Sequence, residues 1–165
     1  MKPIRSFITI AITLILLLMT SAAFAASGAQ KTFEELKALN GLWEGKANGA
    51  PVQVSYRVTS NGSAVMSEIM GKEDMISMFN LDGDRLMITH YCSMGNQPRM
   101  VANPSADGKT IAFDYLDATN LAAPDGGRMS RLVISMLDAN HHTEEWVFND
   151  HGKEMKESFD LWRKK

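Results

Sequence analysis

His90, Cys92 and Met100 stand within eleven residues of one another and bring an imidazole, a thiol and a thioether, donor types that suit copper or haem iron. Whether they can act together depends on the strands that carry them. Reading Arg85 to Cys92 and Arg99 to Asn103 as antiparallel strands joined by Ser93 to Gln97 sets Cys92 opposite Pro98, Tyr91 opposite Arg99 and His90 opposite Met100. Alternation then places Leu86, Ile88, His90, Cys92, Met100 and Ala102 on one face, with Met87, Thr89, Tyr91, Arg99 and Val101 on the other. The first face is the more apolar and is expected to line an interior. A lone Cys commonly behaves as a small buried hydrophobe and Met as a filler of irregular gaps, so a packing role for this trio outweighs a metal site. Arg99 is expected either to hold a ligand carboxylate in two-pronged fashion or to lie over Tyr91.

Other chemistry-bearing residues carry less. Ten methionines follow Met19, but Met75-x-x-Met78 is the one near match to a copper-type cluster, and a pliable apolar lining is the better reading. His141 and His142 are adjacent and point apart, which suits a solvated turn better than a metal site. Asp114, Asp117, Glu144, Glu145, Glu154 and Glu157 are expected on strand faces turned to water, with no pair brought together for acid/base work. Ser130 and Ser135 lack the context of a nucleophile. No catalytic residue, metal cage or cofactor is fixed by these patterns.

The elements that must position these residues are short. Between Gly41 and Lys165, about ten apolar-rich runs are separated by Asn, Asp and Gly turns. The runs are Leu42 to Ala47, Val52 to Val58, Ala64 to Met70, Met75 to Leu81, Arg85 to Cys92, Arg99 to Asn103, Thr110 to Leu116, Met129 to Leu137, His142 to Asn149 and Glu154 to Trp162. Joints such as Asp82-Gly83-Asp84 and Asp150-His151-Gly152 hold residues able to take positive φ. Asp117 to Arg128 is the longest connection and reads as a solvated loop, with a lid as the alternative. Thr32 with Glu35 suggests a capping box, and Phe33, Leu36 and Leu39 recur at helical spacing before Asn40-Gly41, so one short helix is expected over Phe33 to Leu39. A meander of this kind loses its exposed edges by curling into a barrel, and ten strands leave room for a small ligand. The fold class is therefore an all-β, ten-stranded, antiparallel up-and-down barrel with one N-terminal helix, its mouth covered by that helix.

The first twenty-five residues differ from the rest. Lys2 and Arg5 precede the apolar run Phe7 to Met19, and Ala23-Phe24-Ala25 offers small residues at a cleavage point: a secretory signal peptide. The run is shorter than the roughly 20 residues of a membrane span, so no stable anchor is expected after cleavage, and the product would be periplasmic or secreted. Residues 26–31 read as a flexible leader and 32–165 as one domain. The chain without its signal carries a net charge near −4. That excludes the basic surface on which nucleic-acid binding depends, and a single Cys closes no loop within the chain.

Gly41-Leu42-Trp43, preceded by a helix and opening the first strand, resembles the Gly-x-Trp signature of calycins, the group of lipocalins and fatty-acid-binding proteins. Gly41-Leu42-Trp43-Glu44-Gly45 is also similar to the opening of nitrobindin-like haem barrels, although Lys46-Ala47-Asn48-Gly49 departs from their pattern. The segment Thr89 to Cys92 with Gly95 to Met100 looks like that of exported bacterial proteins of unknown function with a lipocalin-like barrel. The lipocalin resemblance implies that Arg163 packs across Trp43 by cation–π contact.

These readings converge on an exported barrel that binds a small apolar or amphipathic molecule, with Trp43, Tyr56, His90, Cys92, Arg99 and Met100 as the candidate ligand-binding residues. A haem- or copper-binding barrel using His90 is the alternative, and a barrel enzyme is a third reading without an acid/base pair.

Overall fold

A computed structural model describes residues 28–165 other than 72 and 73; the signal peptide expected over residues 1–25 lies outside them. Helix α1 (Gly28–Lys37) is followed by ten strands: β1 (Gly41–Ala47), β2 (Ala50–Thr59), β3 (Ala64–Met70), β4 (Met75–Asp82), β5 (Arg85–Tyr91), β6 (Gln97–Pro104), β7 (Thr110–Thr119), β8 (Arg128–Asp138), β9 (His141–Asp150) and β10 (Lys153–Arg163). Each strand pairs antiparallel with its neighbour in sequence, and β1 pairs with β10, so the sheet closes into the expected ten-stranded barrel. The alternating pattern of β2 produces this directly. Val54 and Tyr56 are buried, while Gln53 and Arg57 face water.

α1 starts at Gly28, earlier than Phe33, and includes part of the segment read as a leader. Thr32 is not its cap: the hydroxyl lies inside the helix and donates to the Gly28 carbonyl at 2.9 Å, the i−4 back-bond open to a mid-helix Thr. Leu39 falls beyond the helix, where Ala38, Leu39 and Asn40 each donate to the carbonyl three residues back, tightening the last turn. Phe33, Leu36 and Leu39 are all buried and cover one barrel end, that of the β2–β3, β4–β5 and β6–β7 turns.

That end is locked by Arg163. Its guanidinium lies 4.3 Å from the Trp43 ring centroid, as the resemblance implied, and donates to the carbonyls of Asn40, Ala38 and Ala139. Trp43 donates its indole N–H to the Leu39 carbonyl at 2.7 Å. The helix exit, the first strand and the last strand thus meet on one ion. Beneath it the interior is packed by Phe79, Phe113, Leu132, Ile134 and Leu161, none of them solvent-accessible. Any guest must therefore enter from the opposite end.

Candidate functional site

The barrel interior carries a polar band where the packed half ends. Cross-strand register sets Tyr56 beside Ser67, Ser67 beside Ser77, and Ser77 beside His90, so four inward-facing polar residues occupy one row across β2 to β5. All four are buried. His90 Nδ1 lies 2.9 Å from Ser77 Oγ, and its Nε2 is buried without a partner. Removal from water disfavours the charged ring and pushes the His90 pKa down to about 4. The residue is a neutral imidazole at neutral pH.

From the opposite wall β9 completes the band. Glu144 accepts from the Tyr56 hydroxyl at 2.6 Å and from the Trp146 indole at 2.8 Å, with His142 Nε2 at 3.3 Å. Such convergence is what a carboxylate requires to leave water. Burial and the adjacent Glu144 together push the Tyr56 phenol well above its ordinary value, while Ser67 acts in the opposite sense. The Trp146 ring in turn packs against the His90 ring, with centroids 4.9 Å apart. His142 stands edge-on to Trp43, with its Nδ1 buried and unpartnered.

This corrects two expectations. Glu144 does not face water and His142 is not in a solvated turn: each is at most 1% exposed. Both sit in step with Trp146 on β9, at positions i, i+2 and i+4 of one strand, and a Trp that must be buried carries its face-mates inward. That alternation was the signal available in the sequence. His141, on the other face, stacks on Trp162 and pairs with Asp160. Ser67, Ser77 and Trp146 are further members of the band that sequence reasoning passed over.

The β5–β6 register also differs. Ile88 opposes Met100 and Thr89 opposes Arg99, two residues away from the expected pairing. A shift of two preserves every face, so His90 and Met100 still point inward and Cys92 is buried. The contacts across the pair do change. Met100 is no longer opposite His90, which removes the geometric basis for a copper site, and no three His, Cys, Asp or Glu side chains converge among the described residues. Arg99 neither holds the barrel mouth nor lies opposite Tyr91. It is exposed and paired with Asp117 on β7, past a bulge that leaves Leu116 unopposed. Of the six expected positions, the structure joins Tyr56 and His90 through the band, sets Trp43 under Arg163, packs Cys92 and Met100 along the wall, and turns Arg99 outward.

The end opposite the helix is partly roofed. Asn120 donates to the Gly95 carbonyl at 2.7 Å, Asn96 to the Gly127 carbonyl at 2.8 Å, and the His151 backbone to the Asp125 carbonyl at 3.0 Å. The β7–β8 connection, expected as a solvated loop or a lid, is thereby tied to the β5–β6 and β9–β10 turns. On the other side, a concavity of about 320 Å³ opens among Val52, Ile69, Met75, Phe159 and Glu157. Met75 opposes Ile69, and Ser77 and His90 occupy the next inward row, roughly 7 Å deeper. His90, fully buried, lies below the residues that line the opening and is not itself one of them.

No protein-family model matches the chain, and no curated protein is significantly similar to it. Among solved structures, the crystal structure of Rv2717c from M. tuberculosis is similar, with a TM-score of 0.55 at 14% identity over 81% of this chain and 98% of that one. At such identity the likeness extends to the fold: this chain shares a closed β-barrel architecture with that protein.

Proposed function

We propose that this barrel is a container for one small apolar or amphipathic molecule, which enters opposite the helix and places its polar group against His90. The observation that carries this reading is the buried, unpartnered Nε2 of a neutral His90 below an apolar opening. Burying such an atom without a partner is costly, and a ligand group supplies the missing bond. The opening is at the lower end of the size range of small-molecule sites, and its Val, Ile, Met and Phe lining favours an apolar body. The resemblance to calycin-type barrels of exported bacterial proteins agrees with this reading, as does the signal-like leader, so the place of action is the periplasm or the exterior.

Native mass spectrometry of protein purified from its own envelope tests the proposal. A co-purifying small molecule, lost in His90→Ala, is the expected result; the same protein in uniformly empty form argues against it.

A second reading, haem iron ligated by His90, is favoured by the same nitrogen, since a single neutral imidazole suffices as an axial ligand. A Soret band in the purified protein, abolished in His90→Ala, would select it.

A further inference from the structure

We infer that His90 carries its ring proton on Nε2, and that the ligand therefore presents an uncharged hydrogen-bond acceptor, a carbonyl or ether oxygen. This deepens the container reading and rests on it. Ser77 is 2% exposed, and its hydroxyl has one hydrogen-bond partner among the described residues, His90 Nδ1. A hydroxyl has one proton to give. If Nδ1 held the ring proton, it would donate to Ser77, and the serine proton would be left in the interior with no acceptor. If Ser77 donates to Nδ1 instead, the hydroxyl and Nδ1 are satisfied and the ring proton resides on Nε2. Each arrangement leaves one unpaired donor in the empty interior, but a ligand acceptor at Nε2 removes the second and nothing at that site removes the first, so the bound state selects the second arrangement. The interior is then offered an N–H and asks for an acceptor.

Charge narrows the class further. Trp146, packed on His90, donates to Glu144, so a buried carboxylate lies across one indole from the site. Among the described residues the opening is lined by Glu157 and by no Lys or Arg. A carboxylate ligand would meet like charge and, among the described residues, no cation to neutralise it. An ammonium would find no acceptor at Nε2. A metal ion at Nε2 would move the ring proton to Nδ1, where it displaces the Ser77 proton from its acceptor. An ester or ketone on an apolar chain meets every condition.

The test pairs two readouts on the full-length mature protein. Long-range ¹H–¹⁵N spectra of histidine-labelled protein at pH 7 report the tautomer of His90, and calorimetric titration compares methyl decanoate with decanoate. The expected results are a protonated Nε2 and binding of the ester about tenfold or more tighter than the acid, the difference vanishing in His90→Phe while Ser77→Ala weakens it. A proton found on Nδ1, or decanoate binding as tightly as its ester, overturns this inference and leaves the container standing. Binding of neither compound, with the fold intact by circular dichroism, overturns the container as well.

Discussion

Tyr56 on β2 and Glu144 on β9 meet across the barrel interior, hydroxyl to carboxylate, at 2.6 Å. The bond spans 88 positions of sequence and joins two walls that share no strand pairing. Tyr56→Phe removes the donor and leaves Glu144 in the interior with one fewer partner. We expect a loss of about 2 kcal/mol in urea unfolding, and a smaller further loss when Glu144→Gln is added, since the two belong to one network. Additive effects in the double-mutant cycle would show that the pair is not coupled.

The same phenol sets an alkaline limit. Its folded pKa is raised above the unfolded value near 10, so above pH 10 the unfolded chain sheds a proton that the native state retains. The stability this group contributes is complete below pH 10 and falls as pH rises beyond it. Unfolding midpoints of wild type and Tyr56→Phe followed from pH 9 to 11 should converge; parallel curves would contradict the assignment.

His90 sets the acid limit with the opposite sign. Its folded pKa, about 4 against an ordinary 6.5, means that the unfolded state binds the proton first as pH falls. The contribution is whole above pH 6.5 and disappears progressively toward pH 4, an effect of about 3 kcal/mol. His90→Phe should flatten the stability profile across that window, and an unchanged slope would point to another group.

How the sequence revealed the wall but hid the band follows from the range of the forces involved. Alternation is local, so β2 and the inward set of β5 and β6 were legible, and the two-residue error in register changed the partners but not the faces, which repeat every second residue. Which residues meet across the hollow is not local. Tyr56 and Glu144 become neighbours only through closure of the sheet, and nothing near Glu144 in sequence announces a donor on β2. His142 was misplaced because adjacency to His141 suggested a turn, whereas the demand of Trp146 for burial governs the whole strand. Arg99 drew attention as the residue expected opposite Tyr91, yet its partner Asp117 lies across a bulge that alternation does not foresee.

For Arg99 the structure predicts little effect. Its ion pair with Asp117 is solvent-exposed, and pairs of this kind contribute about 0–1 kcal/mol. Arg99→Ala should retain ligand binding and shift stability by no more than that, whereas a tenfold loss of affinity would restore it to the site.

Arg163 is the contrasting case. Arg163→Ala loses the contact with Trp43 and three hydrogen bonds to carbonyls, and we expect a cost of about 2–4 kcal/mol. Arg163→Lys should recover little, because an ammonium cannot stack and fork at once. Hydrogen exchange should accelerate first in α1 and at the start of β1.

The seam between β1 and β10 governs when the ring can form. Trp43 pairs with Arg163, so the ends of a stretch of about 120 residues must find each other, at a substantial entropic cost that no hairpin contact offsets. At Gly45 the two backbones come so near that an added methyl would lie 1.8 Å from the Asp160 carbonyl oxygen. A chain in which β10 has yet to dock is thus an open, sticky ribbon with two bare edges, and that one strand decides whether they are hidden.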